Sequence, residues 1–61
     1  MRVKLDKHDP TTAYAELSER EVISDSLRER AIARARELNA AQVEFWRIGA
    51  GGETYLEVRR L

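Results

Sequence analysis

Two alternating segments, VEFWRI (residues 43–48) and ETYLEV (residues 53–58), flank the glycine-rich run GAGG (residues 49–52). Glycines accept the positive φ angles of tight hairpin turns, so the C-terminal third is constrained to an antiparallel hairpin. With Ile48 opposite Glu53, Phe45 faces Leu56 and Val43 faces Val58 on one side, while Trp46 faces Tyr55 on the other. Sliding the pairing by two places Ile48 opposite Tyr55 and leaves both faces unchanged, because side chains alternate with period two. The shifted pairing sets Glu44 opposite Arg59 instead of Glu57, which like-charge repulsion favours. Both registers remain open, and the two faces survive either.

A helix precedes the hairpin. Ser26 and Glu29 stand in the S-x-x-E spacing of a capping box. Leu27, Ala31, Ala35 and Leu38, widened by Ile32, recur on one face of a 3.6-residue period. Asn39 is able to take the left-handed conformation that ends helices. The spacing predicts a helix over residues 26–38.

The first 25 residues are ambiguous in local pattern. RVKL alternates like a strand with Val3 and Leu5 on one side, and HDPTT carries an Asp-Pro turn signal. TAYAEL and REVIS read as two further strands. The rival is a helix from Pro10 with Asp9 as its N-cap, since Ala13, Tyr14 and Leu17 also fit helical spacing.

A resemblance favours the strands. The opening MRVKLDKHDPTTAYAELSEREVISDS resembles that of a family of very small prokaryotic proteins of unknown function, through Asp6, Tyr14, Leu17, Ser18 and Val22. The ending GGETYLEVRRL is similar to that family's closing strand through Gly51, Leu56, Glu57 and Val58. Leu5, Thr11 and Tyr55 replace the family's Tyr, Asp and Gly, and a helix stands where the family runs straight on. The resemblance implies a β-meander over residues 2–24 and no chemistry.

The expected architecture is therefore a single α+β domain over residues 1–61: a small antiparallel sheet in the order βββαββ, with the helix packed on one face. Val3, Leu5, Leu17, Val22, Val43, Phe45, Leu56 and Val58 are the sheet's core candidates, met by Leu27, Ala31, Ala35 and Leu38. A chain of 61 residues buries only about 60% of its unfolded surface. There is no Cys for a disulfide or a thiolate zinc site, and one His does not make a metal cluster. Lys plus Arg equals Asp plus Glu at 11 each, so net charge gives no reason to expect nucleic acid or membrane as a partner. Without an apolar run of about 20 residues or a signal peptide, the expected compartment is the cytoplasm.

One helix covers one face of a sheet. Trp46, Ile48, Tyr55 and Leu61 share the strand parity opposite to Phe45, and Tyr14 joins them, with Ile23, if the first hairpin keeps its parity. A large exposed apolar patch marks an interface, and Trp and Tyr are favoured anchors there. The expected function is a non-catalytic interaction module, self-associating or bound to a protein partner, in an antitoxin-like or accessory role in a prokaryote or phage. Packing of these residues inside the molecule is the competing reading.

The second functional reading is RNA or DNA binding through Arg30, Arg34, Arg47, Arg59 and Arg60 beside the aromatic rings. Glu29, Glu37, Glu44 and Glu57 are interspersed with them and would repel phosphates, so a solvated surface with local ion pairs is favoured. A third reading is a designed sequence without biological role, since cap, helix and turn agree with one another; the irregular N-terminal half argues against it. GAGG lacks the Lys and following helix of a phosphate loop, and Asp6, His8 and Asp9 read as an exposed polar turn, not a metal site. Ser18, Ser24 and Ser26 read as turn or cap residues, and Glu16 with Glu21 lacks the burial that separates catalytic pKa values. No enzyme, cofactor or small-molecule substrate is expected.

Overall fold

Apolar alternation condenses into four strands and one helix in the computed structural model, which describes all 61 residues. The elements run β1 (Arg2–Leu5), β2 (Thr12–Leu17), α1 (Asp25–Glu37), β3 (Gln42–Gly49) and β4 (Gly52–Arg60). They form one sheet in the order β1-β2-β3-β4. The outer pairs are antiparallel and the central β2–β3 pair is parallel. Parallel neighbours need a crossover connection, and α1 is that connection. The α+β class and the helix packed on one sheet face are as expected.

Two details of the expected topology are corrected. The central pairing makes the sheet mixed, not antiparallel throughout. The third strand of the meander is also absent, so the order is ββαββ: residues 18–24 form a turn and an irregular run into the helix. Long-range polar bonds hold this segment. Arg47 Nη1 donates to the carbonyls of Ser18 (2.8 Å), Glu19 (3.3 Å) and Glu21 (2.7 Å). The Glu21 carboxylate accepts from the Ser18 N–H at 2.9 Å. Val22, expected in the core, is left 75% exposed.

The N-cap lies two residues before the expected one. Ser24 is the N-cap, and its Oγ accepts from the Leu27 N–H at 3.2 Å. Ser26 lies inside the first turn. At the other end Asn39 takes φ 62° as its position suggested. The Ala40 N–H reaches the Ala35 carbonyl and the Asn39 N–H the Arg36 carbonyl, both at 3.0 Å, which is the Schellman pattern. Leu38 becomes the C-cap, outside the buried helix stripe.

The core lies between α1 and the sheet. Leu27, Ala31 and Ala35 from the helix meet Ala13, Ala15 and Leu17 of β2 and Val43 and Phe45 of β3. Phe45, Leu17 and Val43 are the largest fully buried side chains; the alanines around them leave room for their bulk. Val3, Leu5, Ile23, Ile32, Leu56 and Leu61 pack at the margin.

A β-bulge decides the rest. Near the turn the hairpin takes the first of the two registers, with Ile48 opposite Glu53 and Trp46 opposite Tyr55. Between Phe45 and Trp46 the register then shifts, so that Phe45 pairs with Glu57 and Leu56 is the extra residue. An extra residue reverses the parity of everything beyond it. Val58 consequently pairs with Glu44, on the face away from the helix, and is 43% exposed instead of buried. Leu61 makes the opposite exchange: expected on the open face, it packs against the core, and its N–H donates to Ala41 at 3.0 Å.

Candidate functional site

The sheet face that α1 does not cover carries three aromatic rings, one from each of three adjacent strands. Tyr14 of β2 and Trp46 of β3 have centroids 6.3 Å apart at an interplanar angle of 73°. Trp46 and Tyr55 of β4 lie 5.5 Å apart at 69°. Both are edge-to-face contacts, in which the positive ring edge meets a negative ring face. Ile48 lies on the same face beyond Trp46, partly buried. Tyr14, Trp46, Ile48 and Tyr55 are thus brought together as their alternation suggested. Leu61 and Ile23 are not, because both pack against the core.

Polar groups fix the rings. The Trp46 indole N–H donates to Glu44 Oε1 at 3.0 Å. The Tyr14 hydroxyl donates to Asp6 Oδ2 at 3.1 Å, and the other oxygen of that carboxylate accepts from the His8 backbone N–H at 3.1 Å. The Asp6 hydrogen bond pushes the Tyr14 phenol above its usual value, helped by burial and by the negative charges of Asp6, Glu44 and Asp9. Lys4 pairs with Glu16 at 3.3 Å.

A cleft of about 330 Å³ runs over this face. Tyr14, Glu16 and Trp46 line it together with Lys4, Leu5, Asp6, Lys7 and His8 on the side of the first turn, and Ile48 and Glu53 near the hairpin turn. The aromatic residues were legible from parity. The carboxylates around them were weighed as phosphate-repelling, catalytic or metal-binding groups and not as part of this face, although Glu44 shares the parity of Trp46 and Glu16 that of Tyr14.

The arginines of the nucleic-acid reading are distributed over the molecule. Arg30 and Arg34 are exposed on α1, with Arg34 3.6 Å from Glu37. Arg47 is committed to the carbonyls of Ser18, Glu19 and Glu21. Arg59 pairs with Glu57 at 3.4 Å. Arg60 is opposite Gln42, on the strand parity of Trp46.

The turn carboxylates have local roles. Asp9 accepts from the Thr11 N–H and hydroxyl and from the Thr12 hydroxyl. These bonds, the Thr11 hydroxyl foremost, hold its carboxyl below the usual value. Glu21 pairs with the Met1 amino group at 2.8 Å, so Glu16 and Glu21 have separate partners. No three His, Asp or Glu side chains are grouped to hold a metal ion. No helix is long and apolar enough to cross a membrane.

No protein-family model, curated protein or solved structure matches the chain. Function is therefore read from the face itself.

Proposed function

We propose that this chain is a non-catalytic protein-interaction module that docks through its open aromatic face, on a second copy of itself or on a partner protein. The observation that carries the reading is the Tyr14–Trp46–Tyr55 row on the sheet face without a helix, with Tyr55 49% exposed. A core has no use for aromatic rings at the surface, whereas interfaces favour Trp and Tyr as anchors. The molecule is a slab of 29 × 26 × 15 Å, so its broad face is on the scale of the roughly 800 Å² that each partner buries in a stable interface. The setting we propose, by analogy of type with other very small prokaryotic proteins, is an antitoxin-like or accessory role in a prokaryote or phage.

The test replaces Trp46 and Tyr55 together by Ala. The double variant should keep a cooperative thermal transition and lose association, measured by sedimentation. A variant that associates as the wild type does overturns the reading.

A further inference from the structure

Strand β4 is an edge of the sheet, with β3 on one side of it and no strand on the other. A free edge is a row of backbone donors and acceptors, and monomeric proteins keep such edges short, charged or covered. The opposite edge, β1, is short at four residues, whereas β4 runs for nine. Its Tyr55 and Val58 are two of the four large apolar side chains left exposed in the molecule. We infer that β4 pairs antiparallel with β4 of a second copy, about a two-fold axis between Leu56 and Glu57, so that two four-stranded sheets become one. The inference goes beyond the interaction reading above, because a backbone edge and not the ring row makes the contact.

The bulge selects this register. In a regular strand, residues an odd number apart face opposite sides, and a two-fold axis between two residues would oppose side chains of different faces. In β4 the extra residue Leu56 reverses the parity midway. Glu53, Tyr55, Val58 and Arg60 therefore all lie on the open face, opposite Ile48, Trp46, Glu44 and Gln42. Leu56 packs toward the core, and Glu57 reaches Arg28 of α1. The axis then sets Glu53 opposite Arg60, Thr54 opposite Arg59, Tyr55 opposite Val58 and Leu56 opposite Glu57, each pair on one face. Moving the axis by half a residue or a whole one opposes residues of different faces.

Charge and shape agree with this pairing. Glu53 and Arg60 belong to none of the ion pairs within the chain, and the two-fold joins them twice. Tyr55 with Val58 is an aromatic–β-branched cross-strand pair, also made twice. The two Glu57 carboxylates approach the axis, each already neutralised by Arg28 and Arg59 of its own chain. The axis stands perpendicular to the sheet, so both helices lie on one side and both aromatic rows join on the other. Val58 of the second copy pins Tyr55 against Trp46, which also shelters the indole.

Sedimentation of the chain over a range of concentrations is the test. The wild type should pass from monomer to dimer as concentration rises. Glu53→Arg and Arg60→Glu should each weaken the dimer about tenfold, because two attractive cross-strand pairs become repulsive. The two reversals together should restore it. Glu53 and Arg60 stand at opposite ends of β4, roughly 23 Å apart in one chain, so restoration has no intramolecular source. Should a reversal lower the melting temperature, the wild type decides through added salt, which should weaken a dimer held by exposed ion pairs; no salt dependence then overturns the inference. A chain that stays monomeric, a dimer indifferent to either single reversal, or a double reversal that fails to restore it overturns it as well. A monomer leaves the aromatic face to a partner protein, and a dimer lost in Trp46→Ala but indifferent to the reversals leaves the face reading standing.

Discussion

Glu57 on β4 receives the guanidinium of Arg28 on α1, 29 residues earlier in the chain, through Nε at 3.2 and 3.3 Å and Nη2 at 3.1 Å. The bulge makes this contact possible, because it turns Glu57 to the helix side. The bond from Arg28 holds the Glu57 carboxyl below its usual value, with Arg59 contributing less, and Glu57 correspondingly raises the Arg28 guanidinium.

A carboxyl depressed in the folded state stabilises it above the ordinary value of 4.5, and that contribution is lost as pH falls through the folded value. Glu57→Gln should therefore melt a few degrees below the wild type at pH 7. The two should melt alike once the pH is below both values. Thermal scans across that range check this, and a constant difference would show that the charge is not the cause.

The helix start separates two serines that are two residues apart. Ser24→Ala should cost about 1 kcal/mol, the worth of an N-cap, because it orphans the Leu27 N–H. Ser26→Ala should change stability by less than about 0.5 kcal/mol. Denaturant titration of both variants distinguishes them.

Burial makes a similar contrast among valines. Val43→Ala should cost about 2 kcal/mol, since Val43 is fully buried. Val22→Ala should stay within about 0.5 kcal/mol, because Val22 is exposed. Equal losses would mean that residues 18–24 pack as a strand after all.

Glu19 ties the hairpin turn to the start of the helix connection. Its carboxylate accepts from the Ala50 N–H at 3.0 Å, and a Cβ on Gly49 would lie 2.5 Å from the same oxygen. Gly49→Ala should be destabilising in the wild type and neutral or stabilising in a Glu19→Ala background, where only the reduced backbone entropy remains. A double-mutant cycle by thermal melting measures that coupling.

What local alternation controls was legible in the sequence. It placed Phe45 against the helix, Trp46 beside Tyr55 and Tyr14 on their face, and Asn39 marked the helix end. What depends on single residues or distant partners was not. Leu56 as one extra residue exchanges the sides of Val58 and Leu61, and neither register considered contains it. Ser26 with Glu29 imitates a capping box, while Ser24 makes the bond. REVIS has strand-like residues, but Arg47, far along the chain, gathers its preceding carbonyls into a turn. The parallel central pair was in principle readable, since a strand, a helix and a strand in sequence form the unit that joins parallel neighbours.

Acrylamide quenching of Trp46 fluorescence, taken on the same samples as their light-scattering mass, tests the aromatic face most directly. In the isolated 7.0 kDa chain the partly buried ring should be readily quenched. As mass rises through self-association or partner binding, quenching should fall, because the contact covers the ring. A rise in mass with unchanged quenching would place the contact elsewhere and contradict the account.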